Sequence, residues 1–134
     1  MKKLIINTDG GARGNPGPAG IGVVIRNEAG EVVFEHGSYI GDTTNNVAEY
    51  TALIKAMETA RDLAATDLLV RMDSELIVKQ MQGHYKIKEP TLQGLAAQVL
   101  KLRNNFSSVI FTHIPREQNK DADKMVNQAL DARL

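Results

Sequence analysis

The sequence predicts an α/β fold in which helices flank both faces of a five-stranded mixed sheet. Short apolar runs rich in β-branched residues alternate with segments whose apolar residues recur every three or four positions, as strands and amphipathic helices require. The first three runs are joined by glycine-containing loops, which predicts an antiparallel meander. The last two runs are separated by helical segments, which favours parallel pairing. The 134 residues contain no internal repeat or linker, so one domain over residues 1–134 is expected.

The strands of the meander are bounded by glycine. In the first strand an apolar run is followed by three polar residues, so Asp9 is expected at its carboxyl end, directly before Gly10 and Gly11. A turn over Asn27–Gly30 separates the second strand from the third. The three predicted strands are Leu4–Asp9, Ile21–Ile25 and Val32–Ile40.

A long helix follows the polar loop that ends the meander. Asn46 is a suitable N-cap, and Glu49 three residues later fits a capping box. The apolar positions after Glu49 form one stripe, and Glu49 lies at its edge, leaning toward the core. The residues of this stripe are Tyr50, Leu53, Ile54, Met57, Ala60 and Ala64.

The second half of the chain alternates strands and helices. The strand Asp67–Met72 ends at Asp73, and Ser74 is a candidate cap for a short helix over Glu75–Met81. Pro90 suits the first turn of a helix that ends near Asn104. The remaining elements are a strand over Val109–Ile114, a loop over Pro115–Asn119, and a final helix whose inner face carries Ala122, Val126, Ala129 and Leu130.

Composition excludes several classes of function. Hydrophobic residues make up 43% and charged residues 24%, as in ordinary globular proteins. Sixteen basic residues balance sixteen acidic ones, so nucleic-acid binding would depend on local patches. The absence of cysteine excludes disulfides, thiolate metal sites and thiol nucleophiles. No apolar stretch is long enough for a signal peptide or a membrane span, so a cytoplasmic location is expected. The balanced charge and the small size favour a monomer.

Four acidic residues, Asp9, Glu49, Asp73 and Asp123, come from two strand ends and two helix starts. Each alone has a structural interpretation as a turn residue, a cap or a partner of the helix dipole. These interpretations do not explain why all four are expected at one edge of the sheet. Clustered carboxylates repel one another unless a cation is present, and Mg²⁺ prefers oxygen ligands. The four acids therefore predict a divalent metal site suited to phosphodiester chemistry.

Sequence motifs in the same order resemble the ribonuclease HI family. They are Thr-Asp-Gly-Gly at 8–11, Gly-Asn-Pro-Gly-Pro-Ala-Gly at 14–20, Thr-Asn-Asn-x-x-Glu-Tyr at 44–50 and Asp-Ser at 73–74. His113, ten residues before Asp123, extends the match over nearly the whole chain. The resemblance implies a ribonuclease H-like fold and hydrolysis of the RNA strand of RNA–DNA hybrids with two divalent ions, Mg²⁺ or Mn²⁺. The products implied carry 3′-hydroxyl and 5′-phosphate ends.

The resemblance also implies roles for individual residues. Asp9 would bridge the two ions, while the other three acids complete their shells. His113 matches a mobile-loop histidine that assists proton transfer or product release. Amides and close backbone approaches suit recognition of 2′-hydroxyls in the minor groove of a hybrid. The residues expected to bind substrate are Gly10, Gly11, Asn15, Thr44, Asn45, Asn46, Ser74 and Arg116.

Several positions depart from the family pattern. The segment Gln82–Glu89 is short where many members have a basic protrusion with tryptophan, and no separate hybrid-binding domain is expected. Glu75 stands where glutamine is common, and Arg116 follows Ile114 and Pro115 where a glycine-rich loop is common. These departures predict weaker, salt-sensitive binding of hybrids and leave room for activity on double-stranded RNA.

Three other functions remain open from the sequence. The first is a DNA-directed nuclease of the same fold, against which Asn45, Asn46 and the Gly10–Gly11 pair argue because they suit 2′-hydroxyls. The second is a non-catalytic duplex-binding module, which gains nothing from acids that face phosphates. The third is a small protein that binds a phosphate ligand, which the absence of a phosphate-cradling Gly-Lys-Ser/Thr loop disfavours.

Overall fold

Five strands form one sheet in the order β3-β2-β1-β4-β5 in the computed structural model, which describes residues 1–133. β1 pairs antiparallel with β2, and β2 pairs antiparallel with β3. β4 is parallel to both β1 and β5, so the predicted mixed sheet is confirmed. The strands are β1 Lys3–Ala12, β2 Gly17–Arg26, β3 Val32–Thr43, β4 Asp67–Met72 and β5 Ser108–His113. The helices are α1 Asn45–Asp62, α2 Glu75–Met81, α3 Pro90–Arg103 and α4 Lys120–Ala132.

The first strand is longer than predicted, because Gly10 and Gly11 continue it instead of ending it. Gly11 pairs with Gly20 of β2, and pairing extends to Ala12. The pairing of β1 with β4, by contrast, ends at Thr8. Asp9 therefore lies inside β1 but directly beyond its parallel partner, and the prediction that it ends the strand was wrong.

The caps of the helices differ in part from the prediction. The side chain of Thr44 accepts a hydrogen bond from the backbone N–H of Val47 at 3.3 Å, so Thr44 caps α1 and the assignment of Asn46 was wrong. The capping box was wrong as well, because Glu49 bonds to β1 instead of to the helix start. Ser74 caps α2 and Pro90 begins α3, as predicted. A short 3₁₀ turn lies within the predicted loop before α4.

Helices cover both faces of the sheet, as predicted. On one face, α1 and α3 enclose the main apolar core. On the other, α4 packs on β1, β2 and β3 through the four predicted inner residues, all of which are buried. A Cβ at Gly22 would lie 2.1 Å from the carbonyl oxygen of Ala122, so only glycine permits this close approach. Within residues 1–133, no helix is both long and apolar enough to span a membrane.

Candidate active site

The register of two parallel strands brings Asp9 and Asp73 together. Thr8 of β1 lies beside Met72 of β4 as the last pair of the ladder, and the two aspartates are the next residues on each chain. Parallel strands end at the same edge of the sheet, so both carboxyl groups reach the same point. The predicted convergence of these two residues is confirmed.

Glu49 reaches the same point from the first turns of α1. The backbone N–H of Gly10 donates hydrogen bonds to Asp9 Oδ1 at 3.0 Å and to Glu49 Oε1 at 3.1 Å. A Cβ on Gly10 would lie 2.4 Å from the carbonyl carbon and oxygen of Ala48. Because glycine has no side chain, α1 can approach β1 at Gly10 and place Glu49 beside Asp9.

One oxygen each from Asp9, Glu49 and Asp73 lies within 4.8 Å of the others. Asp9 and Glu49 are buried, while Asp73 is half-buried. Burial, and next the charge of Asp73, raise the pKa of Asp9 from its ordinary 3.8 to about 7. Burial, and next the charge of Asp9, raise the pKa of Glu49 well above its ordinary value. Ionisation of both carboxyl groups in the folded protein therefore has an energetic cost.

A divalent cation fits this donor set. Oε2 of Glu49 is buried and has no hydrogen-bond partner within the described part of the chain. Buried carboxylate oxygens rarely lack a partner, because the desolvation of such an atom is otherwise uncompensated. Hard cations such as Mg²⁺ and Mn²⁺ take carboxylate oxygens as ligands. Asp9, Glu49 and Asp73 are therefore the residues that could hold such an ion.

Asp123 completes the acidic group from the opposite face of the sheet. It lies in the first turn of α4 and, with the other three acids, lines a cavity of about 490 Å³. Its charge also contributes to the raised pKa of Asp9. One oxygen of Asp123 lies 3.7 Å from Arg116 Nη2, and the other accepts a hydrogen bond from Asn127 at 3.3 Å. All four predicted acids thus face one cavity, although Asp123 lies outside the tight group of three.

Most of the predicted substrate-binding residues line this same cavity. Asn15 and Thr44 instead line a neighbouring cavity of about 510 Å³, which Asn46 also borders. His113 ends β5 beside Met72 and is exposed, and it is not among the described residues that line either cavity. The predicted substrate residues around the acidic cavity are Gly10, Gly11, Asn45, Asn46, Ser74 and Arg116.

Two of these asparagines are oriented by the backbone. Asn45 Oδ1 accepts a hydrogen bond from the N–H of Ala12 at 2.8 Å, and Asn15 Oδ1 accepts one from the N–H of Asn45 at 3.1 Å. Both side-chain oxygens are therefore engaged within the protein. The amide NH₂ groups remain as donors to a ligand, and such donors match the acceptors of a minor groove.

Sequence reasoning missed two buried asparagines behind the acids, Asn7 and Asn119. Their side chains bond to each other at 3.0 Å, and Asn119 also contacts Asp73. Asn7 is the first polar residue after the apolar run of β1 and is only 6% exposed, which is unusual for an amide side chain. This polar position could have drawn attention to Asn7, but its partner Asn119 lies 112 positions away and could not be identified from the sequence.

Comparison with known proteins gives consistent matches. A family model described as "Reverse transcriptase-like" matches residues 7–129. A bifunctional protein of Mycobacterium tuberculosis is 44% identical over 97% of this chain, and the match spans 36% of that relative's length. The crystal structure of ribonuclease H1 from Halobacterium salinarum has a TM-score of 0.94 at 41% identity, covering 97% of this chain and 98% of that one.

A further solved structure is LC11 ribonuclease H1, isolated from compost by a metagenomic approach and crystallised in complex with an RNA/DNA hybrid. It has a TM-score of 0.92 and 54% sequence identity, over 96% of this chain and 97% of that one. The sequence motifs, the mixed sheet, the acidic cavity and these matches agree with one another. The chain belongs to the ribonuclease H family.

Proposed function

We propose that this protein hydrolyses the RNA strand of RNA–DNA hybrids, with divalent ions held by Asp9, Glu49, Asp73 and Asp123. The observation that carries the proposal is that one oxygen each from Asp9, Glu49 and Asp73 lies within 4.8 Å of the others. In addition, Glu49 Oε2 is buried with no hydrogen-bond partner among residues 1–133. The complex of LC11 ribonuclease H1 with an RNA/DNA hybrid supports the choice of substrate.

The acids have distinct positions in the proposed mechanism. Asp9 has Glu49 and Asp73 within 4.8 Å, and Asp123 lines the same cavity, so Asp9 would be the central ligand of the proposed site. When bound, the ions would supply an activated water and charge stabilisation of the leaving oxygen, which gives 3′-hydroxyl and 5′-phosphate products. The backbone N–H of Gly10 holds Asp9 and Glu49 in place throughout.

Recognition of the ribose strand is proposed for the amides and backbone beside the acids. The NH₂ groups of Asn15, Asn45 and Asn46 would donate to base edges and 2′-hydroxyls in the minor groove. Gly11 leaves its backbone open to a close approach, since Asn45 Oδ1, at 3.9 Å, is the only atom of the described residues that a Cβ there would meet. Because 2′-hydroxyls distinguish RNA from DNA, these contacts would direct cleavage to RNA.

Four further residues would assist substrate binding or turnover. Arg116 is 81% exposed and lies beside Asp123, where its guanidinium can grip a phosphate. His113 is exposed at the end of β5 and would assist proton transfer or product release. Thr44 and Ser74 cap α1 and α2, and they would contact the substrate backbone where those helices begin.

A panel of labelled duplexes tests the proposal. RNA–DNA, RNA–RNA and DNA–DNA duplexes of one sequence are incubated with Mg²⁺ or Mn²⁺ and, separately, with a chelator. We expect cleavage of the RNA strand of the hybrid, dependent on the metal, with 5′-phosphate ends on the products. Cleavage of RNA–RNA as well would widen the substrate range. Binding of the hybrid without cleavage in either metal would contradict the proposal and favour a binding module.

A further inference from the structure

Asn119 is a buried polar residue directly behind the acids. It precedes α4 and is 1% exposed, yet its side chain makes no capping hydrogen bond to the described residues of that helix. Its Nδ2 instead donates to the carbonyl oxygen of Thr8 at 2.9 Å and to Asp73 Oδ2 at 3.3 Å. Instead of the usual local capping bond, this asparagine at the start of a helix therefore makes contacts with β1 and with the residue that follows β4.

Asn7 supplies the hydrogen-bond donor for the amide oxygen of Asn119. Asn7 Nδ2 donates to Asn119 Oδ1 at 3.0 Å, so Asn119 Nδ2 faces Thr8 and Asp73. The flipped amide would set its oxygen against the Thr8 carbonyl and the Asp73 carboxyl group, and its NH₂ against the NH₂ of Asn7. All three contacts would be unfavourable, so the network allows one orientation.

The backbone of Asn119 also contacts Asp123, the fourth acid. Its carbonyl oxygen accepts a hydrogen bond from the N–H of Asp123 at 3.1 Å, within the first turn of α4. Thr8, which its side chain contacts, directly precedes Asp9 on β1. One buried residue therefore contacts Asp73 itself and the backbone that carries Asp9 and Asp123.

We infer that Asn119 is a positioning residue for the metal-binding acids and that Asn7 acts through it by binding its amide oxygen. The inference deepens the proposed function and rests on it. Groups that hydrogen-bond to metal ligands orient those ligands, and their loss lowers metal affinity or activity by about 10- to 100-fold. Neither asparagine lines the cavity of the four acids, so their effect on the ions would be indirect.

The test is a double-mutant cycle read by Mn²⁺ calorimetry on the protein without substrate. Asn119→Ala is expected to weaken Mn²⁺ binding by about tenfold or more, and Asn7→Ala by a smaller factor of about threefold. The double variant is expected to match Asn119→Ala alone, because Asn7 has no amide oxygen left to bind. On hybrid substrate, kcat is expected to fall while KM stays within about threefold.

Val99→Ala is the matched control, because it removes buried volume from α3 without touching the network. It should lower the melting temperature and leave the Mn²⁺ affinity unchanged. The inference would be overturned if the Kd of Asn119→Ala for Mn²⁺ were within twofold of the wild-type Kd. It would also be overturned if the loss of Mn²⁺ affinity in the double variant were the product of the losses in the two single variants. If Asn119→Ala does not fold, Asn7→Ala decides, and an unchanged Kd there would also overturn it.

The outcomes separate this inference from the proposed function. Wild-type protein that binds Mn²⁺ but does not cut hybrid would contradict the proposed function, while the calorimetric cycle would still decide the role of Asn119. Wild-type protein that cuts hybrid, together with an Asn119→Ala variant of unchanged metal affinity, would contradict the inference alone.

Discussion

The backbone N–H of Gly10 donates a hydrogen bond to Oε1 of Glu49 at 3.1 Å, which joins β1 to α1 at the acidic cavity. The same N–H also bonds to Asp9 Oδ1 at 3.0 Å. One backbone group thus holds two carboxylates that repel each other. The contact is possible because the α-carbon of Gly10 lies directly against the backbone of Ala48.

Gly10→Ala is expected to damage both stability and activity. The new Cβ would lie 2.4 Å from the backbone carbonyl of Ala48, which cannot yield as a flexible side chain would. Separation of β1 from α1 should lower the free energy of unfolding by about 3 kcal/mol and move Glu49 away from Asp9. Urea unfolding and a hybrid cleavage assay measure the two effects.

Gly94→Ala is the matched control for that variant. Gly94 lies in α3, and no described residue lies within 4 Å of a Cβ there, so alanine should stabilise the helix by about 0.5–1 kcal/mol. A Gly10→Ala protein as stable as wild type would show that the close approach of α1 is not required.

Asp9→Asn is expected to stabilise the metal-free protein while it abolishes activity. The asparagine oxygen can still accept the bond from the N–H of Gly10, but the charge beside Glu49 and Asp73 is removed. Hydrolysis should fall about a thousandfold or more, because metal-ion catalysis is worth several kcal/mol and about 1.4 kcal/mol is tenfold. The melting temperature in chelator measures the gain in stability, and turnover in Mg²⁺ measures the loss of activity. A lower melting temperature in the variant would count against charge repulsion in the cavity.

The pH dependence of stability follows from the raised pKa values. The pKa of Asp9 rises from 3.8 to about 7 on folding, so between these values the native state binds more protons than the unfolded state. The contribution of Asp9 to the free energy of unfolding therefore falls as the pH rises from about 4 to about 7, and it is constant above pH 7. The raised pKa of Glu49 acts in the same direction.

The measurement is the difference in urea stability between Asp9→Asn and wild type, in chelator, from pH 4 to pH 8. The advantage of the variant should grow with pH up to about 7 and then stay constant. Millimolar Mg²⁺ or Mn²⁺ should remove that advantage, because bound cations stabilise the native wild type. A difference that does not change with pH would contradict the raised pKa of Asp9.

His113→Ala is expected to slow turnover less than Asp9→Asn does. His113 is exposed at the end of β5, outside the lining of the acidic cavity that the structure describes. In the proposed mechanism the bound ions, and not His113, would supply the activated water, so only the assistance of the imidazole would be lost. Single-turnover rates of both variants on one hybrid make the comparison, and equal losses would reject this ranking.

Arg116→Ala is expected to weaken the binding of hybrids and to make that binding less sensitive to salt. Arg116 is 81% exposed beside the cavity, so one phosphate contact would be lost and the slope of log Kd against log salt should drop by about one. Arg61→Ala is the control, because Arg61 lies in the last turn of α1 and pairs with Asp62. A hybrid Kd that does not change with salt for wild type would contradict the electrostatic account.

The order of strands and helices could be read from the sequence because apolar periodicity is a local property. The inner residues of α4 and the parallel pairing of β4 followed from it. The extent of β1 could not be read from the sequence, since Gly10 and Gly11 are equally typical of turns and of strands packed closely against a helix. The cap of α1 was ambiguous because Thr44 and Asn46 are both good caps two residues apart.

The four acids could also be predicted, because each follows or begins a recognisable element. The contacts that hold them could not. The bond from Gly10 to Glu49 depends on the distance between β1 and α1, and the bond from Asn7 to Asn119 joins residues 112 positions apart. Neither contact has a local signature in the sequence, since both arise only when the elements pack together.

The most direct test of the central claim compares wild type with Asp9→Asn on one end-labelled RNA–DNA hybrid across titrations of Mg²⁺ and Mn²⁺. The claim is that the clustered carboxylates hold divalent ions that cut a ribose strand. It predicts that wild type cleaves the RNA strand in proportion to metal occupancy and is inert in chelator, while the variant is inactive at every concentration. Cleavage by the variant at the wild-type rate, or no cleavage by wild type in either metal, would contradict it.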